Sequence, residues 1–229
     1  MPYRTLLLDA DNTLFDFSRA EHEALTDCLR ARGLPCDRTV TDRYVAINDI
    51  YWKRLERGDV TREELRLARF SDFFKEFGFA CDPDDMAQDY VQALSTKAFL
   101  LDGAYDFCAA LHGRSRMYIV TNGATFTQRG RFSRAPITPF FEDIFISEEM
   151  GCAKPERAYF DAVAARIPDF DPSDTLVVGD SLTSDIQGGI GAGLSTCWFN
   201  PKHKPVPPDM PIDYIVSNYG EILSIVGIN

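Results

Sequence analysis

The stretch RTLLLDADNTLFDF (residues 4–17) runs Leu6, Leu7 and Leu8 straight into the carboxylates Asp9, Asp11 and Asp16. A short apolar run stopped at once by polar residues predicts a buried strand. The plain alternative for the acids is a solvated turn, because Asp and Asn cap loops and helices. D-x-D occurs at Asp9/Asp11, Asp82/Asp84 and Asp169/Asp171. In the second, Asp82 precedes Pro83 and reads as a helix cap. The third, IPDFDPS, is broken by prolines and reads as a loop. Only the first leaves an apolar strand, and only there does a threonine, Thr13, stand two residues past the second Asp.

From about residue 18 to 98 the periodicity is helical. SRAEHEALTDCLRARG opens on an expected capping box, Ser18 and Glu21, and closes at Gly33. Tyr44, Ile47, Tyr51 and Leu55 recur at spacings of three and four. Thr61 and Glu64 form a second expected capping box, before a stripe of Leu67, Phe70, Phe74 and Phe77. Met86, Tyr90 and Leu94 mark a fourth helix. Four amphipathic helices suffice for a small bundle with its own core. Past residue 100, helices alternate with the short apolar runs of RMYIVTNG, FEDIFIS, DTLVVGDS, STCWFN and DYIVSN. That alternation means parallel strands with helices on both faces. The expected fold is α/β, a doubly wound, mostly parallel sheet formed by residues 1–16 and 99–229, with residues 17–98 inserted as a helical cap. NPKHKPVPPDMP (200–211) reads as a Pro-rich surface loop.

The chain has 229 residues, 45% hydrophobic and 26% charged, with a net charge of −11. Such a balance argues against a nucleic-acid polymer or an anionic membrane as partner. No stretch approaches the length of a membrane span, and the N-terminus lacks a signal-type apolar region; a cytoplasmic location is expected from the cysteines. Six cysteines include no C-x-x-C pair and are expected to be reduced. His22, His112 and His203 are too widely spaced for a zinc motif. GGIGAG (188–193) follows a helical stretch and has Leu194 where a third glycine would be needed, so it is no dinucleotide fingerprint.

Ligands of open α/β sheets sit at the carboxyl ends of the strands. Here those ends carry Asp9 and Asp11, Thr121 and Asn122, Ser147, and Asp180. Asp9, Asp11, Asp180 and Asp185 then crowd one place. Two like charges about 4 Å apart repel by roughly 4 kcal/mol at an effective dielectric near 20, so a cation is expected among them. An oxygen-only ligand set suits Mg²⁺ better than zinc. Thr121 ends a strand, and the N–H groups of NGAT open a helix, an arrangement that can hold an anion. Lys154, in GCAKPE, precedes Pro155 at the start of another helix. Metal, Lys, hydroxyl and helix amides around a free carboxylate make a phosphoryl-transfer site, and a carboxylate can carry the phosphoryl group covalently.

DADNT, TNG, KP and GDSLTSD, in this order and at these distances, resemble the four motifs of the haloacid dehalogenase superfamily along the whole chain. The resemblance implies that Asp9 is the nucleophile and that Asp11 protonates the leaving oxygen and then activates water. It implies that Thr121, Asn122 and Lys154 hold the phosphoryl group. Mg²⁺ would be bound by Asp9, the backbone carbonyl of Asp11, and Asp180, with Asp185 in its outer shell. An acid at Asp11 favours phosphate over halide, because true dehalogenases lack one there. ISEEMGCAKP and GDSLTSDIQGGIGAGLSTCWFN further resemble the YjjG-type bacterial nucleoside 5′-monophosphatases. The expected partner is therefore a small phosphate ester, most simply a nucleoside monophosphate. Alternatives are a sugar-phosphate phosphatase or phosphomutase with the same core, a phospho-acceptor module, and a catalytically silent binding protein. Trp52, Tyr51 and Phe17 are the aromatic residues expected to stack on a base beneath the cap.

Overall fold

Strand β1 (Thr5–Leu8) is buried along its whole length and lies near the middle of a six-stranded parallel sheet. A computed structural model describes residues 2–228. The other strands are β2 (Arg116–Thr121), β3 (Asp143–Ile146), β4 (Thr175–Gly179), β5 (Ser195–Phe199) and β6 (Tyr214–Val216). Their spatial order is β3-β2-β1-β4-β5-β6, with every pair parallel. All six strands expected from the sequence are present. The three leucines of β1 divide between the two faces of the sheet, as period-two side chains must. Leu6 and Leu8 join Ile119 and Val178 on one face, while Leu7 joins Tyr118 and Val177 on the other. Both faces are covered, which is why the run is continuously apolar.

After β1 the chain forms the four helices of the inserted bundle, α1 (Phe17–Ala31), α2 (Arg38–Glu56), α3 (Arg62–Phe77) and α4 (Pro83–Leu94). They enclose a second, aromatic core in which Tyr44 stacks on Phe70 at 5.0 Å and meets Phe73 edge-on at 5.4 Å. The Thr61–Glu64 capping box and the Asp82–Pro83 helix start both form. The Ser18–Glu21 box does not. Asp16 caps α1 by accepting from Arg19 N at 3.0 Å, and Glu21 turns into the bundle to accept from Asn48 Nδ2 at 2.7 Å. An earlier cap was available, and a buried partner held the carboxylate that the box needed.

The chain leaves and re-enters the sheet layer at adjacent points. Asp16 N donates to Phe99 O at 2.9 Å and Leu101 N to Leu14 O at 2.9 Å. After these crossings come α5 (Ala104–Leu111), α6 (Thr125–Phe132), α7 (Ser147–Met150), α8 (Arg157–Ala164), α9 (Gln187–Ala192) and α10 (Tyr219–Ile225). A π-helical segment, Leu182–Ile186, leads into α9, so GGIGAG lies mostly within that helix. The short α7 and the terminal α10 were not anticipated. All six cysteines are free, and no helix among the described residues is long and apolar enough to cross a membrane.

Candidate active site

Strand order reverses around β1, which has β2 on one side and β4 on the other, and ligands of such sheets bind at that point. Leu8 is in register with Ile119 and with Val178. Asp9, Thr121 and Asp180 therefore emerge side by side at the carboxyl edge. They line one cavity of about 680 Å³ together with Asp11, Asn122, Lys154 and Asp185. All seven residues given catalytic, phosphate-holding or metal-holding roles from the sequence reach it, whereas Ser147 does not.

Lys154 is the centre of the arrangement. Its Nζ donates to Asp9 Oδ1 at 2.7 Å, to Asp185 Oδ1 at 2.6 Å and to Val120 O at 2.8 Å. All three ammonium hydrogens thus have partners in a site where Lys154 and Asp185 are almost wholly buried. Burial opposes charge on Lys154, but Asp185 and then Asp9 outweigh it and raise the pKa of the ammonium group. The acids outnumber their cation. Burial, only partly offset by Lys154, pushes the Asp9 carboxyl well above the usual carboxylate range, and Asp185 and Asp180 add to the shift. Burial and then Asp185 push Asp180 up to about 7. Carboxylate oxygens of Asp9, Asp180 and Asp185 lie within 4.8 Å of one another. An all-oxygen group of this kind, electrically unbalanced, fits Mg²⁺.

Both Asp185 oxygens are engaged within the protein: Lys154 donates to its Oδ1 and Ser181 N donates to its Oδ2 at 3.0 Å. The Asp11 side chain points elsewhere. Its Oδ1 accepts from the fully buried Arg131, and its Oδ2 from Gln128 Nε2 at 2.7 Å. The clamp takes both side-chain oxygens of Asp11 and leaves the backbone carbonyl, the atom expected to bind metal. Thr121 Oγ1 accepts from Gln128 Nε2 at 2.9 Å and from Gly123 N at 3.1 Å, which leaves its own hydrogen to donate. Asn122 spends its side-chain amide on the Lys154 backbone. Thr125 N, the first amide of α6, donates to Glu148 at 2.6 Å. Two of the four NGAT amides, Gly123 N and Thr125 N, are thus engaged within the protein.

Several contributing residues were not anticipated. Thr13 Oγ1 accepts from Asp180 N at 3.1 Å, which accounts for the threonine two residues past Asp11. Trp198 Nε1 donates to Asp180 O at 2.9 Å. Gln128 and Arg131 are three apart on α6 and face Asp11 together. Lys202 and Lys204, from the Pro-rich loop, also line the cavity. On the cap side, Arg62 donates to Asn122 O at 3.0 Å and to Ser147 Oγ at 2.5 Å, and Thr183 donates to Glu56 at 2.8 Å. Trp52 and Phe17 line the cavity. Tyr51 faces away, with its hydroxyl donating to Asp72 at 2.6 Å, so it is not placed to stack on a base there.

The sheet order, the inserted helical bundle and four sequence motifs meeting at one edge define a haloacid dehalogenase-like hydrolase. Residues 3–193 match that family, and the chain belongs to it. Among its relatives, the HAD-hydrolase YfnB of Bacillus subtilis is 41% identical over 226 residues, 99% of this chain and 96% of YfnB. The pyrimidine 5′-nucleotidase PynA of Streptococcus pneumoniae is 37% identical over 230 residues, 100% of this chain and 97% of PynA. The pyrimidine 5′-nucleotidase YjjG of Escherichia coli is 31% identical, covering 97% of both chains. A crystal structure of YfnB bound to magnesium, which reveals interdomain movement, superimposes with a TM-score of 0.95 over 100% of both chains.

Proposed function

We propose that the chain is a Mg²⁺-dependent phosphomonoesterase that cleaves nucleoside 5′-monophosphates through a phosphoryl group carried on Asp9. The observation that carries this reading is the Lys154 bridge between Asp9 and Asp185, set beside Thr121 at the point where strand order reverses. The names of PynA and YjjG support the nucleotide part of it and favour pyrimidine nucleotides.

An oxygen of Asp9 attacks phosphorus and the bond to the ester oxygen breaks. Asp11 delivers a proton to that oxygen, releasing the nucleoside. To reach it, the Asp11 carboxyl gives up at least one of its bonds to Arg131 and Gln128. Water then attacks the phosphoryl group while Asp11 takes its proton. The bond to Asp9 breaks, inorganic phosphate leaves and the Asp9 carboxylate returns. Thr121 donates its free hydroxyl hydrogen to a phosphoryl oxygen, and Lys154, already on Asp9, supplies positive charge beside it. Asp9, Asp180 and the Asp11 carbonyl are the groups that would hold Mg²⁺, which supplies further charge to the transferring phosphoryl oxygens. Arg62, Glu56 and Thr183 tie the helical bundle over the cavity and so limit access of bulk water.

A phosphate-release screen with Mg²⁺ across nucleoside monophosphates, sugar phosphates and an aryl phosphate tests the proposal. Hydrolysis of nucleoside monophosphates above all sugar phosphates is expected. Preference for a sugar phosphate would move the chain to the sugar-phosphatase reading, and no hydrolysis of any ester would remove the enzyme assignment.

A further inference from the structure

Two asparagines stand in the same relation to the sheet, one on each side of its central pair, β1 and β4. Asn122 follows β2, the neighbour of β1, and Asn200 follows β5, the neighbour of β4. Each clasps the backbone of a lysine. Asn122 does so with Lys154. Asn200, only 6% exposed, donates through Nδ2 to Lys204 O at 2.9 Å and accepts at Oδ1 from Lys204 N at 2.8 Å. His203 N donates to Asn200 O at 3.1 Å and closes the turn. The first lysine is delivered to Asp9 and Asp185 and the second to Asp180, and both line the same cavity.

The two ammonium groups are held very differently. Lys154 is buried and commits all three of its hydrogens. The Lys204 side chain is 53% exposed, and among the described residues its ammonium group makes no hydrogen bond. Its one carboxylate partner is Asp180, whose Oδ2 lies 4.0 Å away. At that distance and exposure an ion pair is weak and readily exchanged. Charge then decides what Lys204 can meet. Asp11 is matched by Arg131. The carboxylates of Asp9, Asp180 and Asp185 are matched by Lys154 together with one divalent ion. With that ion bound, Lys204 is the surplus cation of the cavity, and an entering phosphate dianion is the charge it complements.

We infer that Lys204 is an exchangeable cation, which balances Asp180 in the metal-free protein and turns to the phosphate ester when Asp180 is committed to Mg²⁺. Asn200 acts as a positioning residue, fixing the backbone from which the Lys204 side chain swings. The ester half of this inference rests on the phosphomonoesterase proposal; the metal half does not.

Calorimetry and kinetics on the wild type, Lys204→Met and Lys204→Arg test both halves. Without ester, Lys204→Met should bind Mg²⁺ about two- to fivefold more tightly, because a competing exposed cation is gone. The Mg²⁺-loaded variant should bind inorganic phosphate about two- to fivefold more weakly. Its KM for p-nitrophenyl phosphate should rise by a similar factor, with kcat little changed. Lys204→Arg keeps the charge and should stay near the wild type throughout. A merely structural role for the loop would not move the two binding constants in opposite directions. Unchanged or weaker Mg²⁺ binding by Lys204→Met would overturn the inference. So would unchanged phosphate binding, or equal effects of Met and Arg. A wild type that hydrolyses no ester, while Lys204→Met shows both binding shifts, would overturn the phosphomonoesterase proposal and leave the role of Lys204 standing.

Discussion

Asn122 and Lys154 clasp each other through reciprocal hydrogen bonds. Asn122 Nδ2 donates to Lys154 O at 2.8 Å, and Lys154 N donates to Asn122 Oδ1 at 3.0 Å. This pair ties the end of β2 to the loop that delivers the ammonium group to Asp9 and Asp185. Asn122 is thus better described as the support of Lys154 than as a side-chain ligand of phosphate. Asn122→Ala removes both bonds and leaves two partly buried backbone groups without partners. A loss of about 1–3 kcal/mol in stability is expected, with aryl-phosphate kcat reduced more than KM is raised. Denaturant unfolding and steady-state kinetics measure both. Full stability and activity in that variant would show that the Lys154 loop holds itself.

Gly179 ends β4 with no room for a side chain. A Cβ there would lie 2.2 Å from Asp185 Oδ2 and 2.3 Å from its Cγ. Gly179→Ala must displace Asp185 from Ser181 N and from Lys154. Expected are a destabilisation of about 1–3 kcal/mol, typical of overpacking, and weaker Mg²⁺ binding by calorimetry. A Gly179→Ala protein that binds Mg²⁺ like the wild type would show that Asp185 is not needed near the ion.

Burial raises the Glu21 carboxyl from 4.5 to about 7, and the hydrogen bond from Asn48 only partly offsets it. A carboxyl raised in the fold binds its proton more tightly there than in the unfolded chain. Between pH 4.5 and about 7 the native state holds more protons, so stability falls as pH rises through this window. The full contribution is about 3 kcal/mol. Glu21→Gln should remove it, so the variant gains on the wild type between pH 5 and pH 8 in urea unfolding. Parallel stability curves for the two proteins would contradict the assignment.

Much of the site was legible because its residues stand at strand ends, where an apolar run meets a polar residue that the run cannot explain. Asp9, Thr121 and Asp180 were found in that way, and the strand order then brought them together. The clamp on Asp11 was not legible, because Arg131 lies 120 residues further along the chain and meets it only through tertiary packing. Its available signal was Gln128 and Arg131, polar and three apart on the helix that follows Thr121. Glu21 reads as a helix cap in the sequence for a related reason: Asn48, its partner in the fold, belongs to the next helix. Lys202 and Lys204 give no signal in the sequence, because a Pro-rich loop has no periodicity to show which way it faces.

Asp11→Asn retains much of the shape of the acid but removes the proton transfer that the proposed mechanism assigns to it. Hydrolysis should slow by about 10²-fold or more. Arg131→Met, which leaves Asp11 without its buried cation, should lower kcat while KM for the aryl phosphate changes little. A normal rate in Asp11→Asn would mean that another group serves as acid and base.

The most direct test of the central claim is rapid acid quench of the enzyme turning over an aryl phosphate with Mg²⁺, followed by peptide mass spectrometry. A phosphoryl adduct on Asp9 is predicted in the wild type, with neither adduct nor turnover in Asp9→Asn. Turnover by Asp9→Asn at the wild-type rate, or an adduct on a different residue, would contradict the account.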